Sequence, residues 1–163
     1  MTHVFVGIGS NIDREENIHG GITSLTEQFG KLILSPVYES RPFGFDGNDF
    51  YNLVAAFTTL LDIDEVIRRL REIEFQFGRS RKEPRFSSRT LDIDLLLFGN
   101  LVNEGYHVPR RDITEFPFVL CPLSKIAPDL EHPVSGKCFG ELWQDFDKRA
   151  HEISQVNINL TTC

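Results

Sequence analysis

Residues 91–98 put two carboxylates, Asp92 and Asp94, at the head of an otherwise unbroken apolar run. In a strand, side chains two apart share a face, so both carboxylates point the same way. Their face continues with Leu96 and Phe98. The opposite face, Leu91, Ile93, Leu95 and Leu97, is wholly apolar. Asp-x-Asp at a strand start is common on protein surfaces, but a strand covered on both sides rarely carries two like charges without a partner. A cation is the simplest partner. Hard oxygen ligands suit Mg²⁺, which takes one or two carboxylates and fills its other positions with water and substrate phosphates.

The chain arrives at this strand through a run of cations: Arg79, Arg81, Lys82, Arg85 and Arg89. Guanidinium forks match phosphate oxygens in pairs. Carboxylates suited to a metal, next to a basic loop, point to phosphoryl or pyrophosphoryl transfer from a nucleotide. The loop is a local exception, because the whole chain carries a net charge of -7 with a pI near 5.2. That balance argues against general nucleic-acid binding, whereas local positive potential can steer a polyphosphate.

At 163 residues, 40% hydrophobic and 25% charged, the sequence fits one globular domain spanning 1–163, expected to be a monomer. Cys121, Cys138 and Cys163 form no CxxC pair, and an odd count makes a poor disulfide framework. A reducing cytoplasm is therefore the expected compartment. No signal peptide is evident and no apolar stretch approaches a membrane span.

Periodicity supplies the elements. Val4, Val6 and Ile8 mark a first strand, broken by Gly9-Ser10-Asn11. Asp13 or Asn11 is placed to cap a helix with the stripe Ile18, Ile22, Leu25 and Phe29, ended by Gly30. A second strand is expected over 31–39, a loop over 40–49 and a third strand over about 50–60, with Phe50, Asn52, Val54, Ala56 and Thr58 on one face. Asp62 or Asp64 caps the next helix, whose stripe is Val66, Ile67, Leu70, Ile73 and Phe77. Glu74 borders that stripe and Gly78 terminates the helix. The strand 91–98 follows. A short helix interrupted by Pro122 is expected over 119–127 and another over 139–146. The histidines His3, His19, His132 and His151 show no ligand spacing and read as surface residues. The order β-α-β-β-α-β with C-terminal additions is that of a ferredoxin-like α+β sandwich, with helices packed on a mainly antiparallel sheet.

Several short motifs then share one order and spacing: Gly9-Ser10-Asn11, Phe50-Tyr51-Asn52, Gly78-Arg79-Ser80-Arg81, Arg89-Thr90-Leu91-Asp92-Ile93-Asp94-Leu95-Leu96, and Phe118-Val119-Leu120-Cys121-Pro122-Leu123. Over most of its length, from Val4 to about Pro128, the chain resembles 6-hydroxymethyl-7,8-dihydropterin pyrophosphokinase of folate biosynthesis. No Gly-x-x-x-x-Gly-Lys-Ser/Thr is present, so this is not a P-loop kinase. The resemblance implies ATP and a pterin as substrates and two Mg²⁺ ions held by Asp92 and Asp94, with no nucleic acid or membrane partner. It implies that Arg79 and Arg89 stabilise the migrating diphosphate, that Arg81 holds the triphosphate, and that Glu74 lies on the nucleotide side. It also implies that Asn52 bonds the pterin edge, that Phe50 and Phe118 sandwich its ring, and that the backbone around Ser40, Pro42 and Phe43 completes the pocket. Physical chemistry supports such roles: aromatic faces hold a flat heteroaromatic ring, and an amide offers both donor and acceptor to a pyrimidinone edge.

The chain departs from the family pattern in places. Arg71 stands where Gln is usual, Arg110 where a histidine is expected, Phe116 where an arginine is expected, and Ser87 where Gly or Ala is usual. Arg110 and Arg111 are placed to supply replacement phosphate contacts, and His107 is too far back to stand in. Three readings remain open from the sequence. The retained Arg79, Arg89, Asp92, Asp94 and Asn52 favour an active pyrophosphokinase. The altered 107–116 segment favours a non-catalytic nucleotide- or pterin-binding paralogue. An RNA-binding module is disfavoured by the acidic charge and the lack of an RNP-type aromatic motif.

Overall fold

The computed structural model describes residues 1–78, 88–149 and 152–160. Its elements in chain order are β1 (Thr2–Ser10), α1 (Arg14–Phe29), β2 (Ile33–Leu34), β3 (Val37–Ser40), β4 (Phe50–Thr59), α2 (Ile63–Gln76), β5 (Asp92–Phe98), α3 (Asp112–Glu115), α4 (Pro117–Ile126), α5 (Phe139–Asp145) and β6 (Ile153–Val156). A single 3₁₀ turn, Glu104–Tyr106, lies between β5 and α3. The strands form one sheet in the order β5-β1-β4-β3-β6, with β2 also paired to β4. Every pairing is antiparallel. The expected βαββαβ order is therefore present, and β6 extends the sheet beyond it.

Alternation along the strands produces two cores. Val4, Val6 and Ile8 of β1 and Leu53, Ala55 and Phe57 of β4 face one way, onto Ile18, Ile22 and Leu25 of α1 and Val66, Leu70 and Ile73 of α2. Phe5 of β1 and Val54 and Ala56 of β4 face the other way, onto Ile113, Phe116, Val119, Leu120 and Phe139. The second helical layer, α3 to α5, thus roofs the face of β4 that carries Phe50 and Asn52. Truncating any of these buried aliphatic side chains to Ala costs about 2–5 kcal/mol in comparable cores.

Three local differences from the sequence expectations have clear causes. The expected strand 31–39 is split into β2 and β3 by Ser35 and Pro36. Pro36 has no N–H to give the ladder, while Ser35 keeps β4 partnered: its N–H donates to the Val54 carbonyl at 2.9 Å and its hydroxyl accepts from the Val54 N–H at 2.8 Å. In β5, Leu97 pairs with Phe5 and Leu95 with Val6, which leaves Leu96 as an extra residue in a bulge. The bulge resets the alternation. Leu97 joins Leu96 in the second core and Phe98 packs on the first, the reverse of the simple two-residue period. Pro122 does not interrupt α4, which runs through it from Pro117 to Ile126. Val119, Leu120 and Leu123 are buried, and their packing outweighs one missing helical hydrogen bond.

Helix ends are set by single residues. The Asp62 side chain caps α2 by accepting from the Glu65 N–H at 2.9 Å. Asp13 occupies the cap position of α1, but its left-handed backbone (φ 43°) leaves its side chain without a capping bond. Asn11 is engaged elsewhere, as described below. Among the described residues no helix is long and apolar enough to cross a membrane, and Cys121 and Cys138 are free thiols.

His132 is buried rather than on the surface. Its Nδ1 accepts from the N–H groups of Val134 and Ser135 at 3.1 and 3.3 Å, and its ring meets Phe139 edge to face. The acceptor role requires the neutral imidazole, and burial lowers its pKa from the ordinary 6.5. Such a group adds stability that is complete above pH 6.5 and shrinks as pH falls below it, because the unfolded chain then binds the proton more readily. Thermal melts between pH 6.5 and 5 should show wild type losing stability faster than His132→Asn, whose side-chain oxygen accepts without titrating. Parallel losses in the two proteins would remove His132 as the cause.

Candidate active site

The open end of the sheet, where β1, β4 and β5 meet the α3–α4 roof, holds a cavity whose walls combine three chemistries. Asp92, Asp94, Asp112 and Arg110 form a charged wall. Phe43, Phe45, Phe50, Phe116 and Phe118 form an aromatic one. Asn52, Ser40 and Gly9 lie between them, and the buried Arg89 also lines the cavity. Of the residues singled out from sequence, Ser40, Phe43, Phe50, Asn52, Arg89, Asp92, Asp94, Arg110 and Phe118 converge on this one cavity. Pro42, Glu74 and Arg111 do not line it. Arg79 and Arg81, like Ser87, lie outside the described residues.

The polar bridge depends on strand register. Gly9 of β1 pairs directly with Asn52 of β4, and Tyr38 of β3 pairs with Asn52 on the other side. The Asn52 amide donates to the Ser40 hydroxyl at 2.8 Å, which fixes its plane. A Cβ on residue 9 would stand 2.8 Å from the Asn52 Oδ1, so only glycine leaves the carboxamide in place. On the aromatic wall, Phe116 and Phe118 are stacked with centroids 5.0 Å apart, and Phe43 meets Phe116 edge to face at 5.0 Å. Phe45 meets Phe50 edge to face at 6.2 Å. Phe116, read from sequence only as a missing arginine, is thus buried and extends the aromatic surface behind Phe118.

The charged wall crowds like charges together. The Asp94 carboxyl is pushed up to about 8, first by its low-dielectric surroundings and then by the neighbouring Asp92 carboxylate, against the pull of Arg110. Arg110 is paired with Asp94 at 3.5 Å and with Asp112 at 3.3 Å. Two hard carboxylates on one strand face, destabilised by each other, fit a divalent cation. Among the described residues no three acidic, histidine or cysteine side chains converge as a closed metal cage. A cation held by Asp92 and Asp94 would complete its shell with water or phosphate oxygens, as Mg²⁺ does.

Buried polar groups brace this wall. Glu74 is 3% exposed and accepts from the N–H of Ile93, the residue between the two aspartates, at 2.9 Å. The contact ties α2 to β5. Asn11 is 2% exposed and accepts from the Arg89 N–H at 2.7 Å, while its amide donates to the Asn48 carbonyl at 3.0 Å. Its own N–H donates to the Arg89 carbonyl at 3.0 Å. Asn11 thereby locks the entry to β5 and the end of the 40–49 loop onto β1. The Thr90 hydroxyl donates to the Phe77 carbonyl and joins the end of α2 to the start of β5.

A family model described as 7,8-dihydro-6-hydroxymethylpterin-pyrophosphokinase matches residues 5–128. The chain belongs to this family. It is 36% identical over 147 residues to a Synechocystis sp. protein named 2-amino-4-hydroxy-6-hydroxymethyldihydropteridine pyrophosphokinase, covering 87% of this chain and 75% of that one. A Haemophilus influenzae protein of the same name is 34% identical over 141 residues, covering 83% and 88%. Among solved structures, a Plasmodium falciparum HPPK-DHPS wild-type chain with SDX-DHP superposes with a TM-score of 0.65 at 15% identity, and the match covers 88% of this chain and 43% of that one. An HPPK-DHPS chain in complex with substrates gives 0.70 at 12% identity, covering 88% and 42%. These two likenesses show the family's fold, and this chain spans less than half of either.

Phe45 and Asp112, which line the cavity, had no role assigned from sequence, and Asn11 was read there only as a candidate helix cap. The signal for Asn11 was present in the Gly9-Ser10-Asn11 motif. Asp112 sits two residues after Arg110, and neither it nor Phe45 has a periodicity that marks it. The pairing of Gly9 with Asn52 generates a prediction. Gly9→Ala should displace the Asn52 carboxamide and weaken pterin binding by about tenfold or more, the scale of one misplaced buried hydrogen bond, while the protein stays folded. Calorimetry with the pterin and a non-hydrolysable ATP analogue measures this. Unchanged affinity would remove Asn52 from pterin recognition.

Proposed function

We infer that this chain transfers a diphosphate from ATP to the hydroxymethyl group of 6-hydroxymethyl-7,8-dihydropterin, releasing AMP and the pterin diphosphate, a step of folate synthesis. The observation that carries this reading is the convergence, in one cavity of a chain of this family, of the Asp92–Asp94 pair with an aromatic slot bridged by Asn52. In the reaction the hydroxymethyl oxygen forms a bond to the β-phosphorus of ATP. The bond from that phosphorus to the oxygen bridging it to the α-phosphate breaks, and the hydroxyl proton is lost.

Asn52, its plane held by Ser40, bonds the pyrimidinone edge, and Phe50 and Phe118 lie against the ring faces. Phe43, with Ser40 and Arg41 beside it, closes the slot. Asp92 and Asp94 would hold Mg²⁺, two ions with ATP bound, which supply positive charge to the phosphates and align them for in-line displacement. Glu74 acts behind them, through its bond to the Ile93 N–H, in keeping Asp92 and Asp94 on the cavity side. Arg79, Arg81, Arg89 and Arg110 are the cations assigned to the triphosphate, and Arg111, which does not line the cavity, is not among them. Among these, Arg89 lines the cavity and its backbone N–H is held by Asn11. Diphosphate transfer asks a protein for alignment and for charge where charge develops, rather than for a covalent intermediate.

Purified protein with ATP, Mg²⁺ and the pterin should form AMP. Arg89→Ala should lower kcat by roughly 10²-fold, on the scale of one preorganised charge contact, and change pterin binding by less than about tenfold. No AMP above the control lacking pterin, from folded protein with metal present, would favour the non-catalytic paralogue. The altered 107–116 segment, with Phe116 stacked on Phe118, is the observation behind that second reading.

A further inference from the structure

Arg110 does more on this wall than await a phosphate. Its backbone N–H donates to the Leu96 carbonyl at 3.0 Å. Leu96 is the extra residue of the β5 bulge, two residues beyond Asp94. The bulge therefore fixes where the chain returns from the 3₁₀ turn, and it returns beside the aspartates. From that anchor the guanidinium spans two carboxylates, Nη2 to Asp94 Oδ1 at 3.5 Å and Nε to Asp112 Oδ2 at 3.3 Å, with the arginine side chain only 28% exposed. An arginine carries its charge at every working pH. The pair Asp92–Asp94 thus has a fixed cation of the protein's own within reach of one member.

We propose that Arg110 is the resident counter-ion of the Asp92–Asp94 site and competes with a divalent cation for Asp94, so that metal binds weakly alone and tightly only with a polyphosphate that takes up the displaced guanidinium. Asp112 is the positioning residue that parks Arg110 over Asp94. The inference rests on Asp92 and Asp94 being the metal ligands. It adds a coupling: what Arg110 loses at Asp94 it regains on phosphate, so nucleotide and metal each raise the other's affinity by the same factor.

Binding of Mn²⁺ alone, followed by the spin-resonance signal of the free ion, tests this on the whole chain. Arg110→Gln should bind Mn²⁺ without nucleotide about tenfold more tightly than wild type, the scale of one partly screened charge contact. Arg110→Lys, which keeps the charge, should stay within about threefold of wild type. The gain in Arg110→Gln should vanish when a non-hydrolysable ATP analogue is added. Its metal-free melting temperature should lie below that of wild type and recover with Mn²⁺. Equal or weaker Mn²⁺ binding by folded Arg110→Gln would overturn the inference. So would a gain of the same size in Arg110→Lys, which folds with the charge retained. Asp94→Asn separates the two layers of the argument: if it binds Mn²⁺ as wild type does, with and without the analogue, the metal site itself is misplaced. If it loses Mn²⁺ while Arg110→Gln shows no gain, the site stands and only the counter-ion role falls.

Discussion

Two carboxylates on one face of a single strand form a repulsive arrangement that the surrounding structure must hold in place. Asp92 and Asp94 would relieve their repulsion by twisting β5 or swinging into solvent. The structure restrains the first of these, the movement of the strand. Glu74 takes the N–H between them from the helix side, and β1 pairs with the strand from the other side at Ile8 and Ile93. Asn11 and Thr90 fix the approach to the strand. The result is a wall whose two carboxylates are kept on one face, with Arg110 beside Asp94 and with the Asp94 carboxyl raised by burial and by Asp92. Such preorganisation suits a reaction in which the work is electrostatic.

The rest of the site follows from how the sheet is roofed. Helices on the α1–α2 side provide the core that makes the strands stiff. Helices α3 to α4 cover the other face of β4 and β1 only partly, and the uncovered end is the cavity. The bulge at Leu96 links the halves. It turns Leu96 and Leu97 into the second core and delivers Arg110 to Asp94. Aromatic and charged walls are therefore not separate patches on a surface. They are the two sides of one gap between the sheet and its second helical layer, bridged by Asn52 at a point where β1 must carry glycine.

Much of this was legible in the sequence because it is periodic. The two-residue alternation assigned Asn52 and Phe50 to one face of β4, and the 3.6-residue stripe placed Glu74 at the edge of the buried face of α2. Both assignments match the observed packing. The phase of β5 was legible only as far as Leu96, because a bulge has no periodic signature and depends on how two strands accommodate each other. For the same reason the partners of Arg110 could not be read: they depend on where a turn returns, not on spacing. His132 was misplaced because a buried histidine satisfied by two backbone N–H groups has no pattern that separates it from an exposed one. Asn11 was visible as a motif, but its work, joining residues 37 and 78 positions away, belongs to tertiary structure.

Metal binding by Asp92 and Asp94 on one wall of the cavity, with the pterin on the far wall, is what every proposed role there depends on. A crystal of the protein grown with the pterin, a non-hydrolysable ATP analogue and Mn²⁺ tests it through the anomalous scattering of the metal. The expected result is an anomalous peak within about 2.2 Å of carboxylate oxygens of both Asp92 and Asp94, with the pterin ring between Phe50 and Phe118 and its edge on Asn52. A metal peak on other ligands, or a pterin bound outside this cavity while Asp92 and Asp94 keep Arg110 as their partner, would contradict it.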